Sequence, residues 1–296
     1  MSKVDDRETS CYPRCGIELN HVKVFDDSDF KYINQLCENH SGWKVAYSKK
    51  DVVNVWTKSV PNSNLQMIKA KAVLTGVPAS TAYDVLHDPQ YRSKWDKYHV
   101  ATVDVGLINP NNDICYYAVG GIPPLQPRDF VLQRSWLDNG KEKYICGHSV
   151  CHKKCPPVKG YIRGIVYLTA YYIRNTDENS CQITYINHSD PGGTDIRFSG
   201  KVPTWLTNHL AKVIGPKLIK NLHNACLKYE HWKQNNCPDW KPWNCPEQQI
   251  NFIRVNLAEC QPQKYDTDGV VSQTDDSKVN FDITDTIDVN VDSDED

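Results

Sequence analysis

No stretch of this 296-residue chain approaches the roughly 20 consecutive apolar residues that a membrane-crossing helix needs. The start, Met-Ser-Lys-Val-Asp-Asp-Arg, has no apolar core of the kind a secretory signal carries. The second residue is Ser rather than Gly and the last four form no prenylation box, so neither of those lipid anchors is indicated. Also missing are a nucleophile elbow, a metal-ligand signature and a Gly-rich phosphate loop. Together these absences predict a soluble, cytoplasmic protein without catalysis, cofactor or nucleic-acid partner. His87, His148 and His188 are the groups a cavity hydrolase or cyclase would have to use.

The chain is not short of cysteine. Twelve are present, too many to ignore and in the wrong setting for a disulfide framework. The tightest group is Cys146, His148, Cys151, His152 and Cys155, which lacks the second close pair of a structural zinc site. Cys146, His148, Val150 and His152 instead share one face of an expected strand, so no metal is predicted.

The net charge of −2 hides an uneven distribution. From Lys264 to Asp296, eleven acidic residues and two lysines give −9, which leaves +7 on residues 1–263. A mildly basic body with an acidic tail suits an anionic partner such as a membrane surface. Ser293, followed by Asp294-Glu295-Asp296, fits an acidic-directed kinase, and phosphate there would deepen the tail's negative charge.

Pattern divides the chain into a flexible arm (1–24), a folded body (25–234), a Trp- and Pro-containing extension (235–263) and a disordered acidic tail (264–296). Ser28 is a plausible N-cap for a helix with Phe30, Ile33, Leu36 and Cys37 on one face. Alternating strands begin at Trp43, a short helix follows Pro78, and strands return after Asp96. Turn clusters such as Asp138-Asn139-Gly140 and Asp190-Pro191-Gly192-Gly193 predict hairpins in one extended antiparallel sheet. From Pro203 to about Gln234, Leu206, Leu210, Ile214, Leu218, Leu222, Cys226 and Tyr229 recur at helical spacing. Pro216 falls inside that run and predicts a kink. One long sheet and one long amphipathic helix imply an α+β fold with the sheet curled about the helix, leaving room for a cavity.

The densest local feature is His87-Asp-Pro-Gln-Tyr-Arg-Ser-Lys-Trp-Asp96. Arg92 and Asp96 are four apart, on one face of any helix they occupy, with Trp95 between them. Such a pair is either a weak surface bridge or a charged fixture in an apolar cavity.

Tyr91-Arg-Ser-Lys-Trp-Asp96, Arg128-Asp-Phe130, Asp190-Pro-Gly-Gly193 and Val202-Pro-Thr-Trp-Leu206 are ordered landmarks. Cys226-Leu-Lys-Tyr229 and Lys241-Pro-Trp243 extend them. With these landmarks, residues from about 28 to 234 resemble the START (StAR-related lipid transfer) domain family, in its phosphatidylcholine transfer group. The resemblance implies a helix-grip fold around a lipid tunnel. It also implies a monomer that binds phosphatidylcholine and/or phosphatidylethanolamine and moves it through transient membrane contacts. On matching positions, Arg92 would meet the lipid phosphate, Asp96 would hold Arg92, and Tyr117, Phe130 and Tyr167 would form a choline cage. Thr194 to Gly200 look like seven extra residues relative to the family's short turn. The alternative is a lipid-sensing adaptor that signals through a protein partner.

Overall fold

The computed structural model describes residues 20–49, 52–61, 63, 65–121, 126–192 and 209–261. The insertion at 194–200, the Val202–Leu206 landmark, Ser293 and the acidic tail lie outside them.

The first helix, α1 (Asp27–Glu38), is capped by Asp26 rather than Ser28. The Asp26 carboxylate accepts from the backbone N–H of Ser28 at 2.8 Å and of Asp29 at 3.2 Å, and Asp29 returns a bond to the Asp26 N–H at 2.9 Å. That reciprocal box needs an acceptor three residues before another, which Ser28 does not have. The anticipated face holds: Ile33, Leu36 and Cys37 are buried and Phe30 is half-buried. Residues 20–24, expected to be loose, are tied to the sheet. Asn20 donates to the Ser149 carbonyl at 3.2 Å, and the Lys23 N–H donates to Gln133 Oε1 at 2.9 Å. These are irregular bonds from backbone N–H groups, one of them to a side chain, and they leave no periodic trace in the sequence.

Among the described residues, ten strands form one sheet. They are β1 (Lys44–Lys49), β2 (Val53–Ser59), β3 (Gln66–Leu74), β4 (His99–Asn109), β5 (Asn112–Val119), β6 (Arg128–Asp138), β7 (Glu142–Ser149), β8 (Ile162–Arg163), β9 (Ile165–Asp177) and β10 (Ser180–Asp190). The order is β1-β2-β3-β10-β9-β7-β6-β5-β4, antiparallel throughout, with β8 pairing parallel to β6. Helix α1 covers one face over Leu168, Ala170, Tyr172 and Ile186. The opposite face holds Leu74, Ile173 and Ile183 against α2 (Ala79–His87), α3 (Pro89–Arg92) and α4 (Gly215–Gln234).

The expected kink in the last helix takes a specific form. Leu210–Ile214 is a π-helical turn, closed by Gly215 N–H donating to the Leu210 carbonyl five residues back. Pro216 has no N–H to continue an α-helical ladder, and a wider turn just before it accommodates the missing bond. Below the kink, α4 is locked to α3. Asp88, which caps α3 through the Gln90 N–H at 3.0 Å, also accepts from Tyr229 Oη at 2.9 Å and Lys233 Nζ at 2.8 Å.

Among the described residues, no group of three or more His, Cys, Asp or Glu is arranged to hold a metal. His148 stacks on Phe25 at 5.9 Å, and His188 lies fully buried. Burial lowers the pKa of both to about 4. The unfolded chain takes up these protons near pH 6.5, whereas the folded state refuses them until about pH 4. Stability is therefore full above pH 6.5 and falls across that window. Denaturant unfolding at pH 7 and pH 5 should show the loss, and His148→Gln should make it shallower.

Candidate functional site

Between the inner face of the sheet and the helices lies a cavity of about 670 Å³, within the size range of small-molecule sites. Leu86, Leu107, Leu132, Ile145, Leu218, Ile219 and Leu222 supply its apolar wall.

Arg92, Trp95 and Asp96 border this cavity. Helix α3 ends at Arg92, so the pair is held by one further turn beyond the helix, closed by Asp96 N–H donating to the Arg92 carbonyl at 3.0 Å. Arg92 Nε donates to Asp96 Oδ2 at 2.9 Å. Tyr117, reaching in from β5, accepts from Arg92 Nη2 at 3.2 Å and donates to the same Asp96 oxygen at 2.8 Å. The Tyr98 N–H occupies Asp96 Oδ1 at 3.2 Å. The guanidinium lies 4.6 Å from the Trp95 ring centroid. Among the described residues no protein acceptor takes Arg92 Nη1, which leaves donor capacity toward the cavity. Burial opposes the charge on Arg92, but Tyr117, Tyr171 and Asp96 outweigh it and hold its pKa above the ordinary value. Burial pushes the Tyr117 hydroxyl up to about 12, so it stays protonated and able to donate. The result is a fixed cation whose carboxylate partner is already fully engaged.

Of the three aromatic positions expected around a choline, two meet here. Phe130 pairs with Tyr117 across β5 and β6, and both border the cavity. The Phe130 ring fills the space that a side chain at Gly164 would need: a Cβ there would lie 2.3 Å from its Cε1. Tyr167 is not at the cavity. It stacks on His188 at 4.8 Å and packs with the cluster beneath α1. The cause is a bulge in β9, where Leu168 pairs with His188 but Val166 with Ser189, so Tyr167 is the extra residue and the alternation inverts across it. Val166 takes the inward place, and further along β9 Tyr171, paired with Tyr185 at a ring separation of 4.7 Å, borders the cavity with it.

A second ion pair escaped the sequence reading. Arg134 on β6 grips Asp113 on β5 with Nε and Nη2, the first bond at 2.9 Å, and both residues border the cavity. They stand opposite each other in the strand register. Two charged residues 21 positions apart carry no local spacing signal, and only the pairing of β5 with β6 reveals them.

The extension after α4 is also part of the wall. Trp240, Pro242, Trp243, Gln249, Phe252 and Ile253 border the cavity. Asp84 on α2 anchors the segment by accepting from Lys241 Nζ at 2.6 Å, Trp243 Nε1 at 2.7 Å and Asn244 Nδ2 at 2.9 Å. Further on, the Leu107 N–H donates to the Ile253 carbonyl at 2.8 Å and the Val255 N–H to the Leu107 carbonyl at 2.9 Å. Gly106, at φ +156°, allows this approach, since a Cβ there would sit 2.9 Å from the Ile253 oxygen. The extension thus covers the open edge of β4, an edge that would otherwise expose unpaired backbone. The folded body continues past residue 234 to Cys260, which is buried.

Comparison with known proteins agrees with this architecture. The START domain model matches residues 23–233. START domain-containing protein 10 of Homo sapiens is 39% identical over 237 residues, covering 80% of this chain and 79% of that protein. The phosphatidylcholine transfer protein of Mus musculus is 28% identical over 174 residues, covering 56% and 76% respectively. The crystal structure of human STARD10 superposes with a TM-score of 0.73 at 38% identity, over 81% of this chain and 96% of that one. A sheet gripping a C-terminal helix over a cavity, with a family model spanning most of the body, has one assignment: the chain belongs to the START domain family.

Proposed function

We propose that the protein holds one glycerophospholipid, phosphatidylcholine and/or phosphatidylethanolamine, and carries it between membranes without covalent chemistry. The observation that carries this reading is the Arg92–Asp96–Tyr117 triangle opening onto an apolar cavity. Guanidinium N–H groups match phosphate oxygens in a fork and tolerate removal from water better than an ammonium. Asp96 and Tyr117 hold Arg92 in one orientation, so a phosphate meets a preorganised donor. A quaternary or primary ammonium beside the phosphate is attracted to aromatic faces. Tyr117 and Phe130 offer these, with Tyr171 and Tyr185 taking the place first given to Tyr167. The apolar wall would receive the acyl chains, at roughly 25 cal/mol for each Å² taken out of water.

The same geometry favours a carrier over an enzyme. Of the three histidines in question only His87 borders the cavity, stacked on Trp243 at 5.6 Å and edge-on to Trp136 at 5.2 Å. Burial first and Arg134 second hold its pKa well below the usual value, so it is neutral and wedged between rings. Membrane contact is peripheral and transient on this reading, and no described helix is long and apolar enough to cross a bilayer.

Mass spectrometry of lipid bound after incubation with vesicles of mixed phosphatidylcholine, phosphatidylethanolamine and phosphatidylserine tests the proposal. Near-stoichiometric phosphatidylcholine or phosphatidylethanolamine is the expected result, together with movement of labelled lipid between vesicle populations. Empty protein would overturn it.

A further inference from the structure

The extension that walls the cavity also presents several large apolar side chains outward. Ile250 is 82% exposed, Ile253 64%, Leu257 54% and Phe252 36%, within eight consecutive positions. A water-facing segment so rich in large apolar groups marks a contact surface. Two of these residues, Phe252 and Ile253, border the cavity as well. Apolar surface therefore runs from the cavity wall to the outside at the seam between the extension and β4. That seam is held by the two backbone bonds to Leu107, and Arg254, exposed, follows directly.

We propose that Ile250 to Leu257 is a membrane-docking segment, which enters the headgroup layer of a bilayer and sets this seam against the lipid. The inference rests on the carrier reading above. A bilayer is the occupant because Phe252 and Ile253 face both the lipid cavity and the exterior, so apolar side chains flank the seam on its two sides. Arg254 supplies a cation at headgroup depth.

Ile250 and Leu257 do not border the cavity, so Ile250→Glu/Leu257→Glu alters the docking surface alone. Removing two apolar side chains from the bilayer and adding charge should lower co-sedimentation with phosphatidylcholine/phosphatidylserine vesicles by about tenfold or more. The rate of lipid movement between vesicles should fall in parallel. Bound lipid per protein and the melting temperature should stay at wild-type values. Ile250→Ser, a milder change, should give a partial loss. Co-sedimentation and transfer within about twofold of wild type would overturn the proposal and leave the patch to a protein partner. Co-sedimentation is scored whatever the cargo, so it tests docking even if the wild type holds no phospholipid, an outcome that would overturn the carrier reading alone.

Discussion

Arg92→Met should reduce phospholipid loading and transfer by about thirtyfold or more, which corresponds to about 2 kcal/mol for charge-assisted bonds to one phosphate. Two effects act in the same direction. The fork that meets the phosphate is gone, and Asp96 is left as an unpaired anion beside the incoming anionic group. Among the described residues, Asp96 would retain only the Tyr117 hydroxyl and the Tyr98 N–H. That orphaned carboxylate also costs stability, so the single variant alone would not separate folding from binding. Arg92→Met/Asp96→Asn does: it removes both charges, should regain most of the lost stability, and should still fail to load phospholipid. Arg92→Lys keeps the charge without the fork and should fall between. Occupancy by mass spectrometry, beside a melting curve for each variant, checks all three. Wild-type loading by the double variant would sink the phosphate assignment.

Lys233→Met should cost about 3–5 kcal/mol of folding stability, the usual penalty for leaving one member of a buried ion pair behind. Lys233 and Asp88 are almost completely shielded from water, and the methylene stem of a methionine nearly replaces the lysine in volume. The loss is therefore electrostatic rather than a cavity effect. Asp88 keeps Tyr229 and the Gln90 N–H, but no other cation is bonded to it among the described residues. Asp88→Asn in the same background removes the stranded charge and should recover much of the loss. Because this lock joins α3, which presents Arg92, to α4, the single variant should also loosen the lipid site. Urea unfolding of the two single variants and the double gives the coupling directly. Additive losses would mean that the pair contributes nothing as a pair.

Much of the architecture follows from local chemistry. Apolar residues at three and four spacing mark α1 and α4, and the turn cluster at Asp138–Gly140 separates the hairpin strands β6 and β7, while the cluster after Asp190 ends β10, the last described strand. Pro216 foretells the break that appears as a π-helical turn at Leu210–Ile214. The Arg92–Asp96 pair is equally legible, because a spacing of four closes within a single turn whether or not the helix continues. Trp95, buried beside it, settles that the pair faces inward.

What remained hidden depends on contacts between segments far apart in the chain. The resemblance places Tyr167 inward, but a bulge is one extra residue whose position is set by the partner strand, and it hands the inward place to Val166. Arg134 and Asp113 become a pair only through the register of β5 on β6. The extension has no periodicity because it forms almost no regular element. It folds by filling the hydrogen bonds of Asp84 and of the exposed β4 edge, which exist only once the rest has assembled. Sequence alone therefore determined the helices, the strands and the pairing of Arg92 with Asp96, all properties of spacing, whereas the cavity that this pair faces is a product of the fold. Tertiary structure decided which aromatics face the ligand, where the second ion pair stands and what closes the cavity, because each needs two surfaces brought together.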